Sequence, residues 1–334
     1  MRVDDDGRVA TPVGLEVEPM PENVRAVLRV GNEFFLRSID SIVAAQDDDL
    51  IAALIFTALW MGNVRHITHS SANMKFGAID SLPPDEMRLP VSVQTLSNTL
   101  RIPYETVRRY VQTMIAGGTC IRLGKRGVVV PTAVHNQPLR RRLFLDGFPS
   151  LLRFVDGLKA AGFDFAPYAQ ALPNTVPLPP SGELPDNARA LLRASMELIM
   201  RGVDLVGRLN GNDFLRGMIA ATIWTANVRH ITCSSGDNLK YGGIQAIPPD
   251  AVRRPVTVNS VALSLRLPYE TTRRYVGALV QSGIAQRIEG EGVIIPSAQF
   301  IRPEYFQAAR EAYRNTVQTV ADLHRAGFDF RNYR

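Results

Sequence analysis

The stretch Trp60-Met61-Gly62-Asn63-Val64-Arg65-His66-Ile67-Thr68 returns later in the chain as Trp224-Thr225-Ala226-Asn227-Val228-Arg229-His230-Ile231-Thr232. A long-period repeat of this kind changes how every other feature is read, because a sequence written twice is expected to fold twice. After one inserted residue near Gly236 the register holds: Lys75-Phe76-Gly77 pairs with Lys240-Tyr241-Gly242, and Ala161-Gly162-Phe163-Asp164-Phe165 with Ala326-Gly327-Phe328-Asp329-Phe330. Between the copies, residues 166–187 carry Pro167, Pro173, Pro177, Pro179, Pro180 and Pro185, and read as a semi-extended linker without regular structure. The expected organisation is therefore an acidic tail over 1–21, repeat 1 over 22–165, the linker, and repeat 2 over 188–334.

Each copy reads as helix, helix, a compact mixed segment and a closing helix. Glu22 to Gln46 and Asp49 to His69 carry apolar residues at helical spacing, and the second of these is apolar nearly all round. The apolar run Leu50 to Met61 is shorter than the roughly 20 residues that cross a bilayer, so it reads as a buried helix and no membrane contact is expected. The closing helices, near Leu139 to Ala161 and Pro303 to Ala326, end at the same Ala-Gly stop. Two such copies are expected to pack as an intramolecular pseudo-dimer, which leaves higher oligomers open.

The compact segments are 90–131 and 255–296. Ser92 or Thr257 can cap a short helix that Leu100 or Leu265 anchors. Pro103 and Pro268 then suit the first turn of a second helix. Along it Val107, Tyr110, Val111 and Met114 fall on one side, and Glu105, Arg108, Arg109 and Gln112 on the other. Cys120-Ile121-Arg122-Leu123 and Val128-Val129-Val130, joined through Gly124-Lys125-Arg126-Gly127, spell a two-stranded hairpin. Helix, turn, helix and hairpin make a winged helix-turn-helix. The expected fold class is thus mainly α with small β wings, in two tandem repeats of a helical unit containing a winged helix-turn-helix.

Pro103-Tyr104-Glu105-Thr106-Val107-Arg108-Arg109 and Pro268-Tyr269-Glu270-Thr271-Thr272-Arg273-Arg274, each followed by a Gly-ended helix and a glycine-tipped hairpin, resemble the recognition modules of Crp/Fnr-type and GntR-type bacterial transcription regulators. The resemblance covers the two compact segments and no more, and Pro-Tyr stands where family members often carry Ser-Arg. It implies that Glu105 with Arg109, and Glu270 with Arg274, read base edges. Arg can donate twice to guanine and Glu can accept from cytosine in a major groove wide enough for a helix.

The resulting expectation is a sequence-specific, double-stranded-DNA-binding transcription regulator whose two winged helices meet imperfect half-sites about one helical turn apart. Its candidate DNA-binding residues are Tyr104, Glu105, Thr106, Arg108, Arg109, Gln112, Lys125, Arg126, Tyr269, Glu270, Thr271, Arg273 and Arg274. The net charge of +6 suits a polyanion without demanding one. The two hairpin tips differ, since Lys125-Arg126 is basic whereas Glu289-Gly290-Glu291 is acidic and would be repelled by phosphate. Alternatives are a protein-interaction scaffold, whose partner would meet the second wing or the apolar helices, and a plasmid-type replication initiator. Arg140-Arg141-Arg142 is equally a phosphate contact or a solvated helix start.

The sequence contains no nucleophile elbow, phosphate-binding loop or dinucleotide fingerprint, so no enzyme and no cofactor are expected. His66 and His69 have ligand-like spacing, but Cys233 replaces the latter in the second copy and no third ligand stands nearby. The Asn63-Val64-Arg65-His66 stretch reads as a polar helix end engaged in packing. Cys120 and Cys233 lie at unmatched places, which argues against a disulfide framework and for a reduced cytoplasmic setting.

Overall fold

An apolar helix nearly all round must be covered, and α2 (Leu50–Thr68) is: Leu54, Ile55, Leu59, Val64 and Ile67 are all buried. The structure, a computed structural model, describes residues 20–47, 49–70, 72–179 and 183–333, and of Leu139, Arg140, Arg141 and Ser235 only the backbone. The expected tail lies outside these residues as far as residue 19.

The first half of the chain runs α1 (Val24–Ala44), α2, α3 (Ala72–Lys75), α4 (Val93–Leu100), α5 (Tyr104–Ala116), β1 (Ile121–Arg122), β2 (Val128–Val129), α6 (Thr132–His135) and α7 (Pro138–Ala160). The second runs α8 (Ala188–Leu209), α9 (Phe214–Thr232), α10 (Ser235–Lys240), α11 (Val258–Leu265), α12 (Tyr269–Gln281), β3 (Gln286–Ile288), β4 (Gly292–Ile294) and α13 (Pro303–Arg325). The fold is mainly helical, with two small antiparallel sheets among the described residues. By length and composition α2 reaches what a membrane span requires, but most of its side chains are packed inside protein.

The strands are shorter than the runs 120–123 and 128–130. Ile121 pairs Val129 and Arg122 pairs Val128, after which Gly124 turns the chain; in the second hairpin Gln286, Arg287 and Ile288 pair Ile294, Val293 and Gly292. A single-residue bridge joins each hairpin on its other side, from Val91 to Val128 and from Val256 to Val293. That bridge explains Gly127 and Gly292. A Cβ there would meet the carbonyl oxygen of Val91 at 2.6 Å or of Val256 at 2.5 Å, at φ of +135° and +139°. Residues 166–187, expected to lack regular structure, hold a 3₁₀ turn over Ala166–Tyr168 and a parallel bridge from Val176 to Phe328. The proline-rich segment thereby satisfies part of its backbone, with the Val176 N–H donating to the Gly327 carbonyl at 2.9 Å.

The chain forms two compact units, which cut across the segments 22–165 and 188–334. Among the described residues, unit 1 takes those up to Leu36, Phe154–Phe163 and Leu205–Val317; unit 2 takes those within Arg37–Arg153 and Asp164–Asp204 and those from Gln318 onward. In unit 1, α9 packs on α10, α11, α12 and β4, and the opening turns of α1 are held there by two buried arginines. Arg25 donates to the Ile244 carbonyl at 2.6 Å, and Arg29 to the side chain and carbonyl of Asn238 and to the Tyr241 carbonyl at 2.7–2.9 Å.

In unit 2, α2 packs on α3, α4, α5 and β2, and α8 supplies the arginines. Arg189 donates to the Ile79 carbonyl and lies over the Phe144 ring at 4.4 Å. Arg193, 1% exposed, donates to Asn73 Oδ1 at 2.7 Å and to the Asn73 and Phe76 carbonyls at 3.0 and 2.8 Å. Burial, and to a lesser degree the neighbouring Arg189, lower the Arg193 pKa. The acceptors offset that desolvation. Each compact unit therefore joins the mixed segment of one half of the sequence to the first helix of the other half.

Candidate nucleic-acid interface

The geometry of α5 begins at its floor. Val107 and Val111 are fully buried and Met114 nearly so, while α4 and α2 cover them. Ser92 caps α4 through a bond from the Thr95 N–H at 3.0 Å, and Thr257 caps α11 through Ser260 in the same way. The turn into α5 passes through Arg101 at φ +55°, and the turn into α12 through Arg266 at φ +51°. This left-handed conformation is unfavourable for a residue with a Cβ, so it persists only where the surroundings enforce it. For Arg101 they include an ion pair with Asp204 of α8 at 3.0 Å.

Asn63, entirely buried in α2, ties the hairpin to the helix. Its Nδ2 donates to the carbonyls of Leu89 at 2.7 Å and Val128 at 3.1 Å, and its Oδ1 accepts from the Val130 N–H at 2.9 Å. Asn227 makes the matching set with Arg254, Val293 and Ile295 in α9 and the second hairpin. The recurring asparagine is thus a packing device that satisfies buried backbone. Sequence reading located this polar helix end but not its target, because the target lies on a distant hairpin.

A second pin sets the roll of each exposed helix. Tyr110 is only half-buried, and its hydroxyl hydrogen-bonds Asp49, the residue whose carboxylate also caps α2 at the Ala52 N–H. Burial raises the Tyr110 pKa, and Asp49 raises it further. Tyr275 and Asp213 repeat the arrangement against α9.

With the floor and the roll set, Tyr104, Glu105, Arg108, Arg109 and Gln112 are exposed on α5, and Thr106 is half-buried. On α12, Tyr269, Glu270, Arg273 and Arg274 are exposed and Thr271 is half-buried; Glu270, Thr271, Arg273 and Arg274 line an open groove of about 550 Å³. Lys125 and Arg126 are exposed at the tip of the first hairpin, as are Glu289 and Glu291 at the second. The side chains expected to act together are not equally free. Arg108 clasps Glu105 at 2.8 Å and Arg273 clasps Glu270 at 2.8 Å, so both glutamates are already occupied. Arg109 lies 5.8 Å from the Tyr110 ring and makes no ion pair among the described residues, and Arg274 repeats this over Tyr275. The side chains of Arg140 and Arg141 lie outside the description, and Arg142 pairs with Asp146 at 3.6 Å. Cys120 is buried and Cys233 exposed, both as free thiols.

No known protein family, curated protein or solved structure matches this chain.

Proposed function

We propose that the chain is a tandem repeat of a helical unit containing a winged helix-turn-helix, and that it binds double-stranded DNA as a transcription regulator. In this reading α4, α5 and the β1–β2 hairpin form the first module, with α5 as recognition helix; α11, α12 and β3–β4 form the second. The observation that carries it is the division of α5: a face of Val107, Val111 and Met114 seated in the core, against a face bearing exposed Arg108, Arg109 and Gln112. Exposed Lys125 and Arg126 at the tip of the same module favour phosphate contact, which supplies affinity without sequence information.

The clasped pairs refine the assignment. Arg109 and Arg274 have open donors for guanine, whereas Glu105 and Glu270 must exchange an arginine partner before accepting from cytosine. Base preference therefore rests first on the arginines. A different role for the second module is favoured by its acidic tip together with Leu263, which is 70% exposed on α11 and suits an apolar protein contact. Fluorescence anisotropy with mixed duplex fragments tests the reading. Affinity falling steeply between low and moderate salt, with retention of a subset of sequences, supports it; no binding at low salt refutes it.

A further inference from the structure

Unit 2 contains a cavity of about 680 Å³ beside the end of α2, within the range occupied by small-molecule sites. Its wall combines His69, Glu197, Asp322 and Arg325 with Leu172 and Ala194. Several of the charged contacts are loose. Glu197 is 3.7 Å from His69 and 4.0 Å from Arg201, and Asp322 Oδ2 is 3.6 Å from Arg201, all beyond hydrogen-bond length. Asp322 is only 8% exposed, and while its Oδ1 accepts from Arg325 and Gln318, its Oδ2 accepts no hydrogen bond. A buried carboxylate oxygen left without a donor is costly, and in a native structure such an atom calls for an explanation.

The other half of the sequence supplies an internal comparison. Positions matched to Asp322 and Arg325 are Gly157 and Ala160, the position matched to Ala194 is Val30, and the position matched to His69 is Cys233. In unit 1 this place is filled: a Cβ on Gly157 would lie 2.9 Å from Val30, and Phe34 stacks on Phe154 at 4.6 Å. Leu198 and Thr319 stand at the positions of those two rings in unit 2. Small residues have thus opened a space in one half, and titratable residues line it. Glu197 has its counterpart in Glu33, but unit 1 closes with Gly157 and Ala160 in place of Asp322 and Arg325, so packing alone does not require that pair.

We propose that this cavity binds a small organic amine, with the ammonium donating to Asp322 Oδ2 and Glu197 and the carbon body against Leu172 and Ala194. An ammonium supplies the donor that Asp322 Oδ2 lacks and can approach Glu197 more closely than His69 or Arg201 does, and charge-assisted bonds of this type are the stronger class. Arg325 is already engaged with Asp322, but Arg201 Nη1 is a buried donor without a partner beside both carboxylates, so an acidic counterpart is the necessary control. The site does not depend on DNA binding. It is tested on the full chain by calorimetry with methylamine, butylamine and phenethylamine, using phenylacetate and 2-phenylethanol as acidic and neutral counterparts. Saturable binding at one site per chain is expected, tightening from methylamine to phenethylamine. Asp322→Asn and Glu197→Gln each weaken it by about tenfold or more. Ala194→Leu, which fills the space with an apolar side chain, abolishes it while the melting temperature is held, so loss of binding is separable from loss of folding. Phenylacetate binding as tightly as phenethylamine, no saturable amine binding at millimolar concentration, or binding unchanged in Ala194→Leu would overturn the proposal.

Discussion

Asn63 Oδ1 accepts the Val130 N–H at 2.9 Å, across a sequence separation that brings the end of a buried helix onto the residue that follows β2 of the first hairpin. With the two Nδ2 bonds, one side chain satisfies three backbone groups, two of them buried. Asn63→Ala is expected to cost about 2–4 kcal/mol in urea unfolding, more than an ordinary hydrogen bond, because the partners stay buried without water. Asn63→Asp removes both donors and adds a charge, so it is expected to be no milder. A loss below about 1 kcal/mol in both variants would mean that water reaches the hairpin backbone.

Arg193 and Arg29 are expected to stabilise different segments from those that precede or follow them in sequence. Arg193→Met strips donors from Asn73 and Phe76, so it should loosen amide protection in 93–130; Arg29→Met should do so in 258–294. Each change is expected to cost about 2–4 kcal/mol. Hydrogen exchange followed by mass spectrometry distinguishes this pattern from the opposite one, in which each helix would protect its own half.

Asp85 provides a pH dependence. Desolvation works to raise its pKa, but bonds from the Thr132 hydroxyl and N–H, at 2.7 and 2.6 Å, and the Arg88 charge outweigh it and leave the pKa lowered. A carboxylate with a lowered folded pKa contributes stability that is present above its unfolded value, about 3.9. That contribution is lost as pH falls through the folded value. Wild-type protein should therefore lose more stability on acidification below about pH 4 than Asp85→Asn does. Parallel urea curves at each pH test this, and equal slopes for the two proteins would remove Asp85 as a contributor.

For DNA, Arg109→Ala is expected to cost about 1–3 kcal/mol and to relax preference at one base pair, because its donors are open. Lys125→Ala should weaken all sequences alike and lower the salt slope by roughly one unit. Glu291→Lys should strengthen binding where the second hairpin approaches the duplex. Intact affinity and preference in Arg109→Ala would end the assignment of α5 as a recognition helix.

Local sequence was sufficient for the elements and for the outward set of residues. Ser92 and Thr257 as caps, Pro103 and Pro268 at helix starts, and the spacing of Val107, Val111 and Met114 are short-range signals, and each element lies within a few residues of its expected span. Three things needed tertiary structure. The clasp of Arg108 on Glu105 depends on which of two neighbouring arginines a rotamer can deliver, and spacing treats Arg108 and Arg109 alike. Arg25, Arg29, Arg189 and Arg193 look like ordinary charges on amphipathic helices. They are buried because carbonyls from the opposite half of the sequence surround them, and periodicity carries no information about partners that far away. The cavity beside Asp322 likewise depends on which helices meet there. Local signals determined which elements each half of the sequence would form; packing decided that the mixed segment of each half would be completed by a helix from the other half, because a buried guanidinium is stable only where acceptors converge on it.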